Sequence, residues 1–250
     1  MLRIWNSLLL AGVLALALPT APAHAANFDV APIMLTLSNK AASATLAVTN
    51  RSPETLRFHV TAFAWRQRTD GEMILEPTKD IVFFPAMLSL KSKESRQIRV
   101  GSKIKPGAVE RSYRLFVEEL PPLARNAQEE ANAVRVLTKM GLPVFVEAAA
   151  PKATPTVTPL QVKGRELTFS LKNSGNTHMR VQKVMLTAKA SSKTVHSEEL
   201  PGWYVLAGGV RTYVVKLPDA ACKDATSLEV QMESESGSPK AVLPSFRCGP

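Results

Sequence analysis

The residues of this chain able to do acid–base or metal chemistry stand apart from one another. His59, His178 and His196 have no partner at a His-x-His or His-Glu-x-x-His spacing, so each reads as a surface or packing histidine rather than a ligand. Glu118 and Glu119 are adjacent, but neighbours on a strand point to opposite faces, so adjacency alone makes no carboxylate dyad. Gly202, Gly208 and Gly209 lack the spacing of a phosphate loop, and no serine stands in a Gly-x-Ser-x-Gly elbow. The expectation is a protein that is not an enzyme and needs no metal or organic cofactor.

Cys222 and Cys248 are the two cysteines, with no Cys-x-x-Cys signature. In an exported chain they read as a disulfide tying the last strand back to an earlier loop, worth roughly 2–4 kcal/mol. Free thiols or a metal pair are the alternatives. Export is read from the N-terminus: Arg3 supplies a positive region, Ser7 to Leu18 is almost unbroken apolar, and Ala23-His24-Ala25 is a small-x-small cleavage site. A signal peptide over 1–25 is expected, leaving a mature chain from Ala26 to Pro250. The apolar run is short for a membrane span, and no later stretch approaches that length, so stable membrane insertion is not expected. The signal suggests a bacterial chain bound for the periplasm or beyond. The formal charge of +10 is scattered along the sequence. Together with export this argues against a nucleic-acid partner and leaves positive charge free to meet acidic or carboxylate-bearing proteins.

The elements that would carry any site are strands. Two stretches stand out: Phe83 to Leu90 running into Ser95 to Val100, and Tyr113 to Pro122. Leu56, Phe58, Val60, Ala62 and Ala64 alternate with His59, Thr61 and Phe63, and Ser43 to Val48 alternates in the same way. Asn50-Arg51-Ser52-Pro53 and Thr69-Asp70-Gly71-Glu72 read as turns. A last strand of the first half is expected over Arg135 to Glu147, after a polar connection at Arg125 to Ala133. Some seven short strands with almost no amphipathic helix fit an immunoglobulin-like sandwich. Small residues and prolines from Ala149 to Pro155 mark a linker. Beyond it come Glu166 to Leu171, Val181 to Ala188, Thr212 to Leu217, Ser227 to Met232 and Lys240 to Phe246, read as a smaller second sandwich. The expected division is 26–148, 149–155 and 156–250, a single extended domain being the alternative. A sandwich of this kind has sheet edges, and an exposed edge can take a partner chain as an added strand. Val134 to Val136 is the candidate donor, an internal core strand being the competing reading.

On Asn50-Arg51-Ser52, Phe84 to Leu90, Ile98-Arg99-Val100, Tyr113 to Pro121 and Val134 to Val146, the sequence resembles the periplasmic chaperones of chaperone–usher pilus systems. The likeness is sharp over Phe28 to Val146 and diffuse beyond. It implies an all-β protein of two immunoglobulin-like β-sandwich domains in an L-shaped arrangement. It also implies pilus, fimbrial or fibre subunits as partners. The chaperone lends its last first-domain strand to a subunit lacking its own, and releases it at an outer-membrane usher without nucleotide. Val134 and Val136 then enter the subunit groove, with Thr138 and Met140 continuing the alternation toward a cleft. The family's two basic cleft residues, which anchor the subunit's terminal carboxylate, fall near Met34 and Gly141, neither of which is charged. Arg135 or Lys139 is the expected substitute, and Arg114 is expected to support the structure around the cleft. The mismatch points to the archaic or spore-coat-related branch. A two-domain envelope adhesin or fibre structural subunit, an envelope carrier and a secreted hydrolase are the competing classes.

Overall fold

The computed structural model describes residues 27–122 and 136–249. The described elements are strands apart from one short helix, and they enclose two apolar cores. The signal peptide expected over 1–25 and the connection at Arg125 to Ala133 lie outside the described residues.

The first core is closed by two sheets. One is β1 (Phe28–Ala31), β3 (Ser43–Asn50), β8 (Ser95–Ser102) and β6 (Ile81–Phe84), in that order. The other runs β2 (Leu35–Leu37), β10 (Lys139–Val146), β9 (Arg111–Leu120), β4 (Leu56–Gln67), β5 (Met73–Pro77), with β7 (Met87–Leu90) also paired to β4. Strand alternation builds the core: Leu56, Phe58 and Val60 of β4 and Tyr113, Leu115 and Val117 of β9 are buried against Leu46, Val48, Ile98 and Val100 of the facing sheet. The chain changes sheet at two prolines. β1 passes to β2 through Pro32, and β6 passes to β7 through Pro85. A residue without an N–H cannot continue a ladder, so each proline stands where one sheet is left for the other. Tyr113 is anchored by its hydroxyl, which donates to Asp80 at 2.8 Å; burial, then that carboxylate, pushes its ionisation well above the ordinary tyrosine range.

The second core lies between β11 (Pro155–Val157), β13 (Glu166–Asn173), β12 (Gln161–Lys163) and β17 (Val210–Lys216) on one side, and β15 (Lys193–Leu200), β14 (Met179–Ala190), β18 (Ser227–Ser234), β19 (Lys240–Leu243) and β16 (Tyr204–Val205) on the other. The helix, α1 (Asp219–Asp224), carries Cys222, which is bonded to Cys248 beyond β19. The segment expected to be a loop at Cys222 is thus a helical turn.

A third, aromatic cluster joins the two units: Trp65 and Phe145 of the first with Tyr204 and Leu206 of the second. Glu110, buried at the start of β9, accepts from the Thr177 hydroxyl at 2.6 Å and from the His178 backbone N–H at 3.0 Å, and its carboxylate lies 2.9 Å from His178 Nδ1. His178 stacks on Phe145 with centroids 3.6 Å apart. The β4–β5 turn also reaches across, with the Thr212 N–H donating to the Thr69 carbonyl at 2.6 Å. The fold is all-β and built as two sandwiches.

Candidate functional site

β10 pairs with β9 along its whole length, from Lys139 opposite Glu118 to Val146 opposite Arg111. Its other edge is covered only in part, because β2 pairs with it in parallel from Val144 to Val146. Pro143, which has no N–H to offer, stands at the junction. Among the described residues, Lys139 to Leu142 therefore present one unpaired edge, with backbone donors and acceptors open to another chain. The strand expected from Arg135 begins at Lys139 among the described residues, with Val136, Leu137 and Thr138 leading into it.

Along that strand one face leaves the core step by step. Leu142 is 1% exposed, Met140 packs partly on the first core, Thr138 is half-buried, and Val136 is 54% exposed beside a 42% exposed Leu137. Thr138 is held by Glu119: its N–H donates to the carboxylate at 3.2 Å, and its carbonyl accepts the Glu119 N–H at 2.9 Å. Val134 and Arg135 lie outside the described residues. Glu118 and Glu119 face opposite sides as strand neighbours must, Glu118 toward Lys139 and Glu119 buried.

The opposite face of the same sheet carries the charge. Lys139 pairs with Glu118 at 2.9 Å and sits over the Phe116 ring at 5.0 Å. Gly141 stands opposite Phe116, and a methyl group there would lie 2.7 Å from the ring and 3.5 Å from an Arg114 Nη. Met34 precedes β2, with its sulfur 3.9 Å from the Tyr204 hydroxyl. Arg114 is 6% exposed. Its guanidinium lies 5.0 Å from the Trp65 ring centroid and 5.8 Å from that of Trp203 in the second unit. It forms no ion pair among the described residues, and its buried Nε has no acceptor; neither does the Trp65 indole N–H. Burial pulls its ionisation below the ordinary arginine value, opposed only by the Tyr204 hydroxyl. Sequence reasoning gave Arg114 a supporting part and did not see Trp203 or Tyr204. Its only signal was parity: Arg114, Phe116 and Glu118 share the face turned away from the core.

His59, His178 and His196 are not brought together, and among the described residues no group of three or more His, Cys, Asp or Glu side chains could hold a metal ion. No helix among them is long and apolar enough to cross a membrane.

Besides the end strands of each sheet, the first sandwich leaves the β10 edge partly open beside an aromatic cleft, and an edge of that kind suits a protein that takes an extended polypeptide as an added strand. The chain belongs to the family described as pili and flagellar-assembly chaperones, whose PapD N-terminal domain matches residues 27–155. Its fold is similar to that in the CsuC–CsuE chaperone–tip adhesion subunit pre-assembly complex from archaic chaperone-usher Csu pili of Acinetobacter baumannii, with a TM-score of 0.59 and 18% identity over 87% of this chain and 98% of that one. It is also similar to the class 5 fimbriae chaperone CfaA (TM-score 0.56, 15% identity, 86% and 98% covered). A third likeness is to the Salmonella enterica SafA pilin in complex with the SafB chaperone (TM-score 0.55, 14% identity, 89% and 99% covered). At these identities the likeness speaks for the fold. No curated protein sequence matches the chain.

Proposed function

We propose that this protein is a periplasmic chaperone that holds pilus or fibre subunits by lending them a strand and hands them to an outer-membrane usher. The observation that carries this reading is the edge of β10 left unpaired among the described residues, fed by the exposed Val136 and Leu137. Family membership supports the assembly role and the periplasmic destination. The donor residues are Val134, Val136, Thr138 and Met140. The domain division at 149–155 is kept, supported by a first core whose last buried member is Val146 and a second whose buried members begin at Leu160, with Ala153 and β11 from Pro155 already packed on the second unit. Arg135 and Lys139 stay as candidate carboxylate anchors.

The physical reason for the role is the subunit's need. A sandwich lacking one strand exposes an apolar groove and a row of unpaired backbone groups, which drive aggregation. A strand with alternating apolar side chains on a rigid sheet covers both at once.

Co-expression with a fibre subunit encoded beside an usher gene is expected to give a soluble one-to-one complex. Val134→Asp with Val136→Asp should abolish it, and a complex that survives both changes sinks the donor assignment. Lys139→Ala should weaken subunit binding if Lys139 is an anchor; unchanged affinity removes it. The archaic or spore-coat-related branch is the finer reading. It is supported by Met34 and Gly141 standing where basic residues are expected, and it predicts that the neighbouring genes encode subunits of that branch.

A further inference from the structure

We infer that the buried carboxylate of Glu119 is a positioning residue for strand donation. It clasps Thr138 from the β9 side and holds the segment carrying Val136 in phase with β10 before any subunit arrives. The inference rests on the strand-donor reading and adds to it a residue outside the donor strand.

Parity makes Glu119 the anomaly of its strand. It continues the row of Tyr113, Leu115 and Val117, all buried in the first core, and its cross-strand neighbour on β4 is the fully buried Phe58. A carboxylate in that row is costly to desolvate. Among the described residues it meets no cation, since Lys139 is paired with Glu118 on the opposite face. Its polar partner among them is the Thr138 N–H, at 3.2 Å. An apolar side chain would fill the position at lower cost, so the carboxylate is explained by what it holds.

The ladder shows why a side chain is needed. Residues facing each other at a hydrogen-bonded site of an antiparallel pair exchange two main-chain bonds. Thr138 continues the register one step past Lys139 and Glu118, and so stands opposite Glu119. One of the two bonds is present, from the Glu119 N–H to the Thr138 carbonyl at 2.9 Å. The Thr138 N–H turns instead to the Glu119 carboxylate. β10 is parting from β9 at this residue, and the longer reach of the side chain closes the last rung. Both main-chain groups of Thr138 are used toward β9, so those of Leu137 and Lys139 turn to the open edge, where a subunit strand would pair. The clasp thus fixes the strand from behind and leaves its binding edge free. Just beyond it Leu137 and Val136 are exposed. A segment ordered in advance has less conformational freedom to lose at the moment of binding.

Hydrogen exchange on the exported protein tests the clasp with no variant and no subunit. The Thr138 amide is expected to exchange about tenfold or more slowly than that of Leu137, after correction for intrinsic rates; equal protection overturns the inference. Two variants then separate position from packing. Glu119→Gln keeps an acceptor oxygen, whereas Glu119→Leu removes it and fills similar space. Each is titrated against the fibre subunit encoded beside the usher gene, diluted from urea, with soluble complex as the readout. Glu119→Leu is expected to raise the chaperone concentration needed for half-maximal capture about tenfold. It should also lose the Thr138 protection, yet unfold at a denaturant midpoint no lower than the parent's. Glu119→Gln should keep both protection and capture. Capture unchanged in Glu119→Leu overturns the positioning role, whatever its amides do, and leaves strand donation standing. Glu119→Gln failing as Glu119→Leu does overturns it too, because the acceptor oxygen would then not be what matters. A midpoint that falls along with capture makes Glu119 a packing residue and likewise overturns it. A complex that survives Val134→Asp with Val136→Asp sinks strand donation instead, and with it the use of the clasp, while Thr138 protection in the parent stays as measured.

Discussion

Two asparagines do the same work in the two sandwiches. Asn50 at the end of β3 is fully buried, and its Nδ2 donates to the carbonyls of Glu54, Leu90 and Lys91 at 2.7, 3.0 and 3.1 Å. Its Oδ1 accepts the Ser52 N–H at 2.8 Å. Asn173 at the end of β13 repeats the pattern toward Thr177, Val205 and Leu206, and its Oδ1 accepts from Thr154 and Gly175. An amide supplies donors and an acceptor at once, which no other side chain of that size does for this set of backbone groups. Asn50→Ala and Asn173→Ala are each expected to cost about 1–3 kcal/mol by leaving buried carbonyls unpaired. Denaturant unfolding checks this, and a midpoint unchanged in both variants would contradict it. Asn50→Asp should be no better, because a carboxylate would face three carbonyl oxygens. In the sequence Asn50 stands in a turn and in one of the stretches that carry the family resemblance, and neither reading shows its burial; Asn173 stands before a Ser-Gly pair that signals only a turn. Their burial depends on strands distant along the chain, such as that ending at Leu90, and no local pattern announces it.

At the scale of elements, alternation made β3, β4, β8 and β9 legible, because each has one face on the core and one away from it. β15, Lys193–Leu200, was missed since its residues are largely polar and it lies at a sheet edge with little burial. Phe83 to Leu90 reads as one apolar stretch, yet β6 and β7 belong to opposite sheets; the proline between them was visible, but not that it marks a change of layer. The proposed donor segment reads as apolar alternation in the sequence, while the free length of the β10 edge does not, since that depends on where β2 lands. Gly141→Ala is expected to crowd the Phe116 ring and cost about 1–3 kcal/mol, read as a lowered unfolding midpoint. A stability equal to the parent would mean that the ring has room to move. Val136→Asp, by contrast, changes a side chain already in water, so its stability should stay within about 0.5 kcal/mol while subunit capture is lost. A large drop in stability would make Val136 a core residue instead.

At the scale of the whole molecule, the two sandwiches are joined by the aromatic cluster and by Glu110, but their fastenings differ. Only the second carries a covalent one. Cys222 and Cys248 close a loop with a sequence separation of 26, and the Gly249 N–H donates to the Gly164 carbonyl beyond it. Replacing both cysteines by serine is expected to cost about 2–4 kcal/mol, confined to the second sandwich. Hydrogen exchange should then show faster opening of β13, β14 and β18 with β4 and β9 unchanged; uniform loss of protection would mean that the two units unfold together. The pairing of the cysteines was readable from their number and from the export expected on the N-terminal sequence. The contact between the units was not, because Trp65, Phe145, His178 and Tyr204 come from four separate strands or turns and meet only once both sandwiches are built.

The parallel takeover of the β10 edge by β2 has a consequence for fidelity. Side chains on a strand alternate, so a slip of one residue would turn every apolar group of a bound segment from the groove toward water. If a strand is added there as proposed, the block at Val144 gives it a zero mark from which its residues are counted. Under the proposed strand donation, such a chaperone is permissive about which apolar side chains it receives and still strict about their phase.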